Sequence, residues 1–239
     1  MDPLVSYQLH DGVVTIVMDD GKVNALSRQM LSSVTDALDR AASDGATVVL
    51  TGRAGIFSGG FDLKAMKAGG TEAARMLEEG FDLALRLLEH PTPVVIACNG
   101  HAVAMGVFLL LSGDYRIGAD GPFRIVANEV AIGLTMPWAA IEICRQRLTP
   151  SDFNRVVNLA EPYTPSDGVS AGLLDRVVSE VDLLPTATTM ASGLAGLDRT
   201  AHEFTKRRAR EGAVAAIRRG LDDDRETFRM LGVPGNEQT

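Results

Sequence analysis

Ile56-Phe57-Ser58-Gly59-Gly60-Phe61-Asp62-Leu63-Lys64 is the stretch on which the reading of this chain turns. A glycine pair closes a loop there, soon after the short apolar run Thr47 to Thr51, and Asp62 is a residue that opens helices. Such a loop aims backbone N–H groups at one point, where developing negative charge is stabilised. A second turn of this kind, Asn99-Gly100-His101-Ala102-Val103-Ala104-Met105-Gly106, lies between the apolar run Pro93 to Cys98 and an apolar helix, Met105 to Leu111. Two converging loops would make an oxyanion hole, and the plainer reading of each alone is an ordinary tight turn.

Outward from these loops, strand, glycine loop and helix alternate. Leu4 to Leu9 and Val13 to Met18 read as strands joined at Asp11-Gly12, a hairpin dipeptide. Ser27 caps a helix with Met30, Leu31, Val34 and Leu38 at helical spacing. Thr71 is placed to cap the next helix, along which Met76, Phe81, Leu85 and Leu88 form a stripe until Pro91 and Pro93 end it. Tyr115 to Ala119 and Phe123 to Val126 read as further strands, broken at Gly121-Pro122. The alternation predicts an α/β body.

Beyond Pro137 the strands thin out, and helices are expected at Trp138 to Leu148, Ser151 to Leu159, Leu183 to Leu197 and Ala201 to Leu221. The change in texture near Asp175 reads as a boundary. The final helix carries Lys206, Arg207, Arg208, Arg210, Arg218 and Arg219, followed by Asp222-Asp223-Asp224, and the simplest account of its charge is a solvated face.

The chain has 239 residues and a net charge of −8, enough length for a full core and the wrong sign for non-specific nucleic-acid binding. Cys98 and Cys144 stand in apolar segments without metal or redox spacing, which predicts buried free thiols in a reducing, cytoplasmic setting. No apolar run approaches the length of a membrane span, and Met1-Asp2-Pro3 begins no signal peptide. A serine elbow, a P-loop and a His-Glu-x-x-His zinc site are all absent, so hydrolase and nucleotide-triphosphatase readings lose their support.

Five ordered motifs resemble the crotonase superfamily, the enoyl-CoA hydratase/isomerases. They are Val23-Asn24-Ala25-Leu26-Ser27, the opening stretch, Pro93 to Ala102, Gly113-Asp114-Tyr115-Arg116-Ile117 and Glu129-Val130-Ala131-Ile132-Gly133-Leu134. The resemblance implies a spiral of ββα turns over 1–180 bearing an acyl-CoA site. It implies a C-terminal helical region over 181–239 that builds a homotrimer or dimer of trimers. It also implies an acyl-CoA thioester as substrate, with coenzyme A entering only as part of that substrate and no separate cofactor or metal, and no nucleic-acid or membrane partner.

On the matching positions, the backbone N–H groups of Phe61 and Met105 would hold the thioester oxygen while an enolate forms. Gly59 and Leu63 would offer carbonyls to the adenine, Lys64 would approach the CoA phosphates, and Gly60 and Asp62 would shape the same loop. Lys206, in a stretch resembling the family's C-terminal helix, would reach a CoA phosphate. Because the donors belong to the backbone, side-chain replacement does not delete them.

A hydratase of this family uses two glutamates. The second matches Glu129, preceded by Ala127-Asn128 where the family usually has proline before the acid; the first position is occupied by Phe108. Phenylalanine neither takes nor gives a proton, and general acid–base groups typically supply about 10²–10⁴ in rate each. One carboxylate suffices for double-bond migration, so the residues favour isomerisation over hydration, with a catalytically silent acyl-CoA or partner-binding homologue as the alternative. From spacing alone Glu129 is equally a surface carboxylate; its apolar neighbours favour a partly buried acid with a raised pKa. Trp138 and Phe108 are candidate acyl-pocket residues, against the plainer reading of aromatics in the core. His101 is read as held by its loop, Asp114 as fixing the following turn and Glu142 as pairing along its helix with Arg145 or Gln146.

Overall fold

A computed structural model describes residues 3–231 of the chain. Met1, Asp2 and the last part of the expected 181–239 region, residues 232–239, lie outside them. The chain opens with β1 (Val5–His10) and β2 (Val13–Met18), an antiparallel hairpin. Asp11 and Gly12 turn it with φ of 48° and 75°, the left-handed pair that suits strand twist. Helix α1 (Arg28–Asp44) follows, and its cap is Ser27, whose hydroxyl accepts from the Met30 N–H.

Three successive units then repeat one pattern. Strands β3 (Thr47–Thr51) and β4 (Gly55–Ser58) lead to α2 (Leu63–Ala68) and α3 (Gly70–Glu89). Next come β5 (Val94–Cys98), β6 (Gly100–Val103) and α4 (Met105–Ser112). Strands β7 (Tyr115–Ala119) and β8 (Ile125–Val126) then lead through a 3-10 turn at Val130–Ile132 to α5 (Trp138–Arg145). The first strand of each unit joins a six-stranded sheet ordered β1-β2-β3-β5-β7-β9, where β9 is the later strand Arg176–Val178, and the second joins a parallel three-stranded sheet, β4-β6-β8. This is a ββα spiral.

Alternation within β3 and β5 divides the core. Val48, Leu50, Val94 and Ile96 pack with α1, α3 and α4 on one side, whereas Val49, Val95 and Ala97 pack under Leu183, Ala187 and Ala191 on the other. Those alanines belong to α8 (Glu180–Ala195), which lies across the sheet. Between α5 and α8 run α6 (Pro150–Leu159), α7 (Pro165–Ala171) and β9 (Arg176–Val178). The chain ends in α9 (Arg199–Leu231).

Several expectations need correction. The cap of α3 is Gly69, not Thr71, which sits inside the helix. Asp175 marks no boundary: it accepts from the backbone N–H of Arg116 at 2.8 Å and pairs with its guanidinium at 2.7 Å, and β9 just beyond it pairs with β7. Strands β4, β6 and β9 and helix α7 are additional elements, each short and supported by neighbours rather than by its own periodicity.

The solvated-face account of α9 holds for only part of it. Arg207, Arg208, Arg218 and Arg219 are exposed, but Lys206 is buried and Arg210 nearly so. The helix packs along α3 and α5. Arg210 donates to the Leu88 carbonyl at the end of α3, and Asp224 accepts from the backbone N–H groups of Trp138 and Ala139, at 2.9 Å each, capping α5 from outside. Gly220 permits that crossing, since a Cβ there would lie 2.9 Å from the Ala139 nitrogen. Among the described residues, no helix is long and apolar enough to cross a membrane.

Candidate active site

The first glycine loop is strapped by the segment between β2 and α1. Asn24, fully buried with φ of 49°, donates to the Met18 and Phe57 carbonyls at 2.9 and 3.2 Å. Its own carbonyl accepts from the Ser58 hydroxyl at 2.9 Å. Ser58 Oγ in turn accepts from the Gly60 N–H, the Gly59 N–H donates to Val23, and the Gly60 carbonyl accepts from Leu26. Thus the N–H groups of both glycines are committed, and Phe61 is the next donor along the loop.

A second asparagine braces the other loop. Asn99 accepts from the Gly52 N–H at 3.0 Å and donates to the Gly52 and Arg53 carbonyls. The loop ends at Ala104, which takes the rare combination φ 51°, ψ −121° directly before α4 and donates its N–H to Val126 at 2.9 Å. Such a conformation costs on the order of 1–3 kcal/mol and persists only where its surroundings enforce it. Met105 is therefore the first residue of a wholly buried helix, whose dipole favours negative charge at that end.

Glycines bring the two loops into contact. A Cβ on Gly60 would lie 2.9 Å from the Val103 carbonyl and 3.5 Å from the Met105 nitrogen, and a Cβ on Gly106 would lie 2.7 Å from the Ser58 carbonyl. Among the described residues, no backbone acceptor stands against the N–H of Phe61 or Met105. Two N–H groups on adjacent, braced loops, neither with a backbone acceptor, can donate to an anion placed between them.

Strand β8 carries the chain past β6 to Glu129. The surface reading of Glu129 fails: the residue is only 8% exposed, and its Oε2 has no hydrogen-bond partner. Burial pushes its pKa up to about 7, against a weaker downward pull from its own N–H. Its main chain accepts from Ile132 and Leu134, so the carboxyl sits at a tight, self-supported corner beside buried Cys144. A carboxyl poised near neutrality can both take and return a proton.

The other expected site residues separate into distinct settings. Asp62 caps α2, accepting from Lys64 and Ala65, and this leaves Leu63 and Lys64 exposed on the loop's outer side. Phe108 is fully buried and stacked on Phe81, with centroids 6.1 Å apart. Trp138 is 58% exposed where α5 meets α9, so it is not the core aromatic that its sequence setting suggested. Glu142 pairs with Arg145 at 3.1 Å. His101 Nδ1 accepts from the Arg124 N–H, with its ring edge-on to Phe123.

Lys206 is buried in an ion pair. Its Nζ lies 2.7 Å from Asp114 in the interior, where burial pulls its pKa down to about 8 despite that carboxylate. Arg210 takes the other Asp114 oxygen at 2.8 Å, and Asp114 also accepts from the Val94 N–H at the start of β5. The ammonium is thus spent on docking α9. A groove of about 680 Å³ between α1 and α3 is lined by ion-paired surface residues such as Arg28 and Glu79 and includes neither glycine loop nor Glu129.

Asn24, Ser58 and Asn99 stand out only in the structure as the residues that aim the loops. Asn24 and Asn99 lie in the quoted motifs, and asparagine's tolerance of positive φ was a usable signal for the first.

Comparison with known proteins shows the family and the fold. The family model described as enoyl-CoA hydratase/isomerase matches residues 8–232. An enoyl-CoA hydratase/isomerase family protein from Pseudomonas syringae superposes with a TM-score of 0.92 at 46% identity, covering 94% of this chain and 98% of that one. A Mycobacterium tuberculosis protein, described as an enoyl-CoA isomerase in one structure and as a probable enoyl-CoA hydratase in another, superposes with a TM-score of 0.89 at 45% identity in the first, covering 93% of this chain and 97% of that one. The human mitochondrial enoyl-CoA delta isomerase 1 is 28% identical over 223 residues, 91% of this chain and 74% of that protein.

Proposed function

Because the chain belongs to the enoyl-CoA hydratase/isomerase family, we propose that it shifts the double bond of an enoyl-CoA thioester, with one carboxylate carrying the proton. Ionised Glu129 takes a proton from the α-carbon of a 3-enoyl thioester. The electron pair moves into the carbonyl, and the N–H groups of Phe61 and Met105 hold the resulting dienolate oxygen. The protonated Glu129 then delivers the same proton to the γ-carbon, the carbonyl re-forms, and the double bond lies between the α- and β-carbons. Nothing is consumed.

The observation that carries this reading is the pairing of a buried, unpartnered carboxyl at Glu129 with an apolar, stacked side chain at Phe108. Hydration would need a second acid to hold water, and a ring packed against Phe81 offers none. The exposed Leu63 and Lys64 and the carbonyl of Gly59 are proposed to receive the adenine and phosphates of CoA. Some relatives are described as isomerases and others as hydratases, so the choice rests on the residues. A trimer or dimer of trimers is the assembly inferred from the resemblance, and light scattering after size exclusion tests it.

The deciding experiment follows trans-3-enoyl-CoA and trans-2-enoyl-CoA separately. Migration without hydration, lost in Glu129→Gln, is the expected result. Robust hydration that survives Glu129→Gln overturns the assignment, and tight acyl-CoA binding without turnover identifies a silent binder.

A further inference from the structure

The side chains of Phe61 and Met105 come from different loops, yet both reach the same residue of α3. A Cβ on Gly80 would lie 2.4 and 2.5 Å from Cε1 and Cζ of the Phe61 ring, and 3.7 Å from Cε of Met105. The ring rests on the bare helix backbone. No residue with a side chain could occupy position 80 while Phe61 stays where it is.

Backbone conformation does not explain this glycine. Gly80 lies well inside the helix Gly70–Glu89 and is not among the residues of positive φ. Glycine is the least favourable residue for a helix interior apart from proline, so the position gives up helix propensity for space. That space is filled by the side chains of the two residues whose N–H groups face the site.

The surroundings decide which partner would yield if the space were closed. Around Gly80, α3 is anchored by Leu77, Phe81 and Ala84, all buried in the main core. Phe61 sits in a loop, half-buried, with its ring edge-on to Phe81 at 6.4 Å and 65°. Carbon atoms pack at roughly 3.5–4.0 Å, so a methyl on Gly80 requires a ring displacement of about 1 Å, and what the ring does not absorb by turning about its own side-chain bonds passes to the loop. Hydrogen bonds weaken steeply with misalignment, and productive geometry tolerates only about 0.5 Å.

We propose that Gly80 is a positioning residue of the oxyanion hole: its missing side chain seats the Phe61 ring and the Met105 methyl and so sets the aim of both N–H donors. The proposal rests on the reading of Phe61 and Met105 as the donors. Gly80 itself touches no substrate.

The test compares wild type, Gly80→Ala, Phe61→Ala and the double variant. One readout is the rate on trans-3-enoyl-CoA. The other is the infrared C=O band of bound butyryl-CoA, isotopically labelled at the thioester carbonyl, which reports polarisation by the donors without turnover. Gly80→Ala is expected to lower kcat about 10- to 100-fold with KM within about 3-fold, and to shift the carbonyl band back toward its free position. Phe61→Ala in that background removes the clash while keeping the N–H, and should raise the band shift and kcat of Gly80→Ala to the smaller deficit of Phe61→Ala alone.

A Gly80→Ala protein with wild-type kcat and band overturns the proposal, as does a loss that Phe61→Ala fails to relieve. An unshifted carbonyl in the wild-type complex overturns the oxyanion-hole reading itself. Should Gly80→Ala not fold, Phe61→Ala alone carries the test, because emptying the seat is expected to weaken the band shift, and an unchanged band refutes the role of Gly80.

Discussion

Gly60 faces Met105 at the junction of the two loops, where a Cβ on the glycine would stand 3.5 Å from the Met105 nitrogen and 3.0 Å from the Ala104 Cβ. Gly60 also holds φ at 86°, a conformation that L side chains rarely adopt. Space and backbone therefore demand glycine at the same position. The Gly60→Ala variant is expected to lose about 10²-fold in kcat and on the order of 1–3 kcal/mol in stability, measured by steady-state kinetics and urea unfolding.

The pH dependence of the reaction should report Glu129. The proton-taking form is the carboxylate, and burial pushes the pKa up to about 7. Accordingly kcat/KM is expected to fall about tenfold per pH unit below that value and to level off above it. Glu129→Gln should abolish the limb together with about 10²–10⁴ of the rate. A profile flat through neutrality would assign the proton transfer elsewhere.

The same shift makes Glu129 a cost to folding. Its folded pKa of about 7 lies above the ordinary 4.5, so between those values the folded protein binds the proton more tightly than the unfolded chain does. Stability is then lost as pH rises through the window, with the full penalty above it and none below. Glu129→Gln should therefore stabilise the protein by on the order of 2–3 kcal/mol near pH 8 and by almost nothing near pH 4. Denaturant titrations at the two pH values check the sign.

Asp114 compensates two buried cations, Lys206 at 2.7 Å and Arg210 at 2.8 Å. Asp114→Asn leaves both without a carboxylate and should cost about 3–5 kcal/mol, with α9 amides exchanging faster. Lys206→Met keeps the Arg210 pair. If Lys206 serves docking alone, CoA affinity by calorimetry should stay within about twofold in that variant, because a lost phosphate contact would cost several-fold more.

Much of the scaffold was legible because apolar runs bounded by turn residues have few alternatives. Val13–Met18, Thr47–Thr51 and Tyr115–Ala119 have the bounds that their sequence predicts, and Ser27 and Asp62 cap the helices they were expected to cap. Strand β6 was hidden, since Gly100–Val103 becomes a strand only by lying between β4 and β8. Lys206 misled for a similar reason. A basic helix reads as solvated until a carboxylate from another element, here Asp114, is brought against it.

At the site, turn chemistry was enough to mark both glycine loops, because it is a property of short segments, whereas Glu129 and Phe108 were pointed to by the family resemblance and not by their own spacing. Tertiary structure alone decided that Gly60 meets Met105, that Asn24 and Asn99 lock the loops, and that Gly80 receives the side chains of both donor residues. It also decided that Glu129 is dry enough to titrate near neutrality. Each of these depends on close approach between segments distant in the chain, and desolvation and steric exclusion arise only when such segments pack.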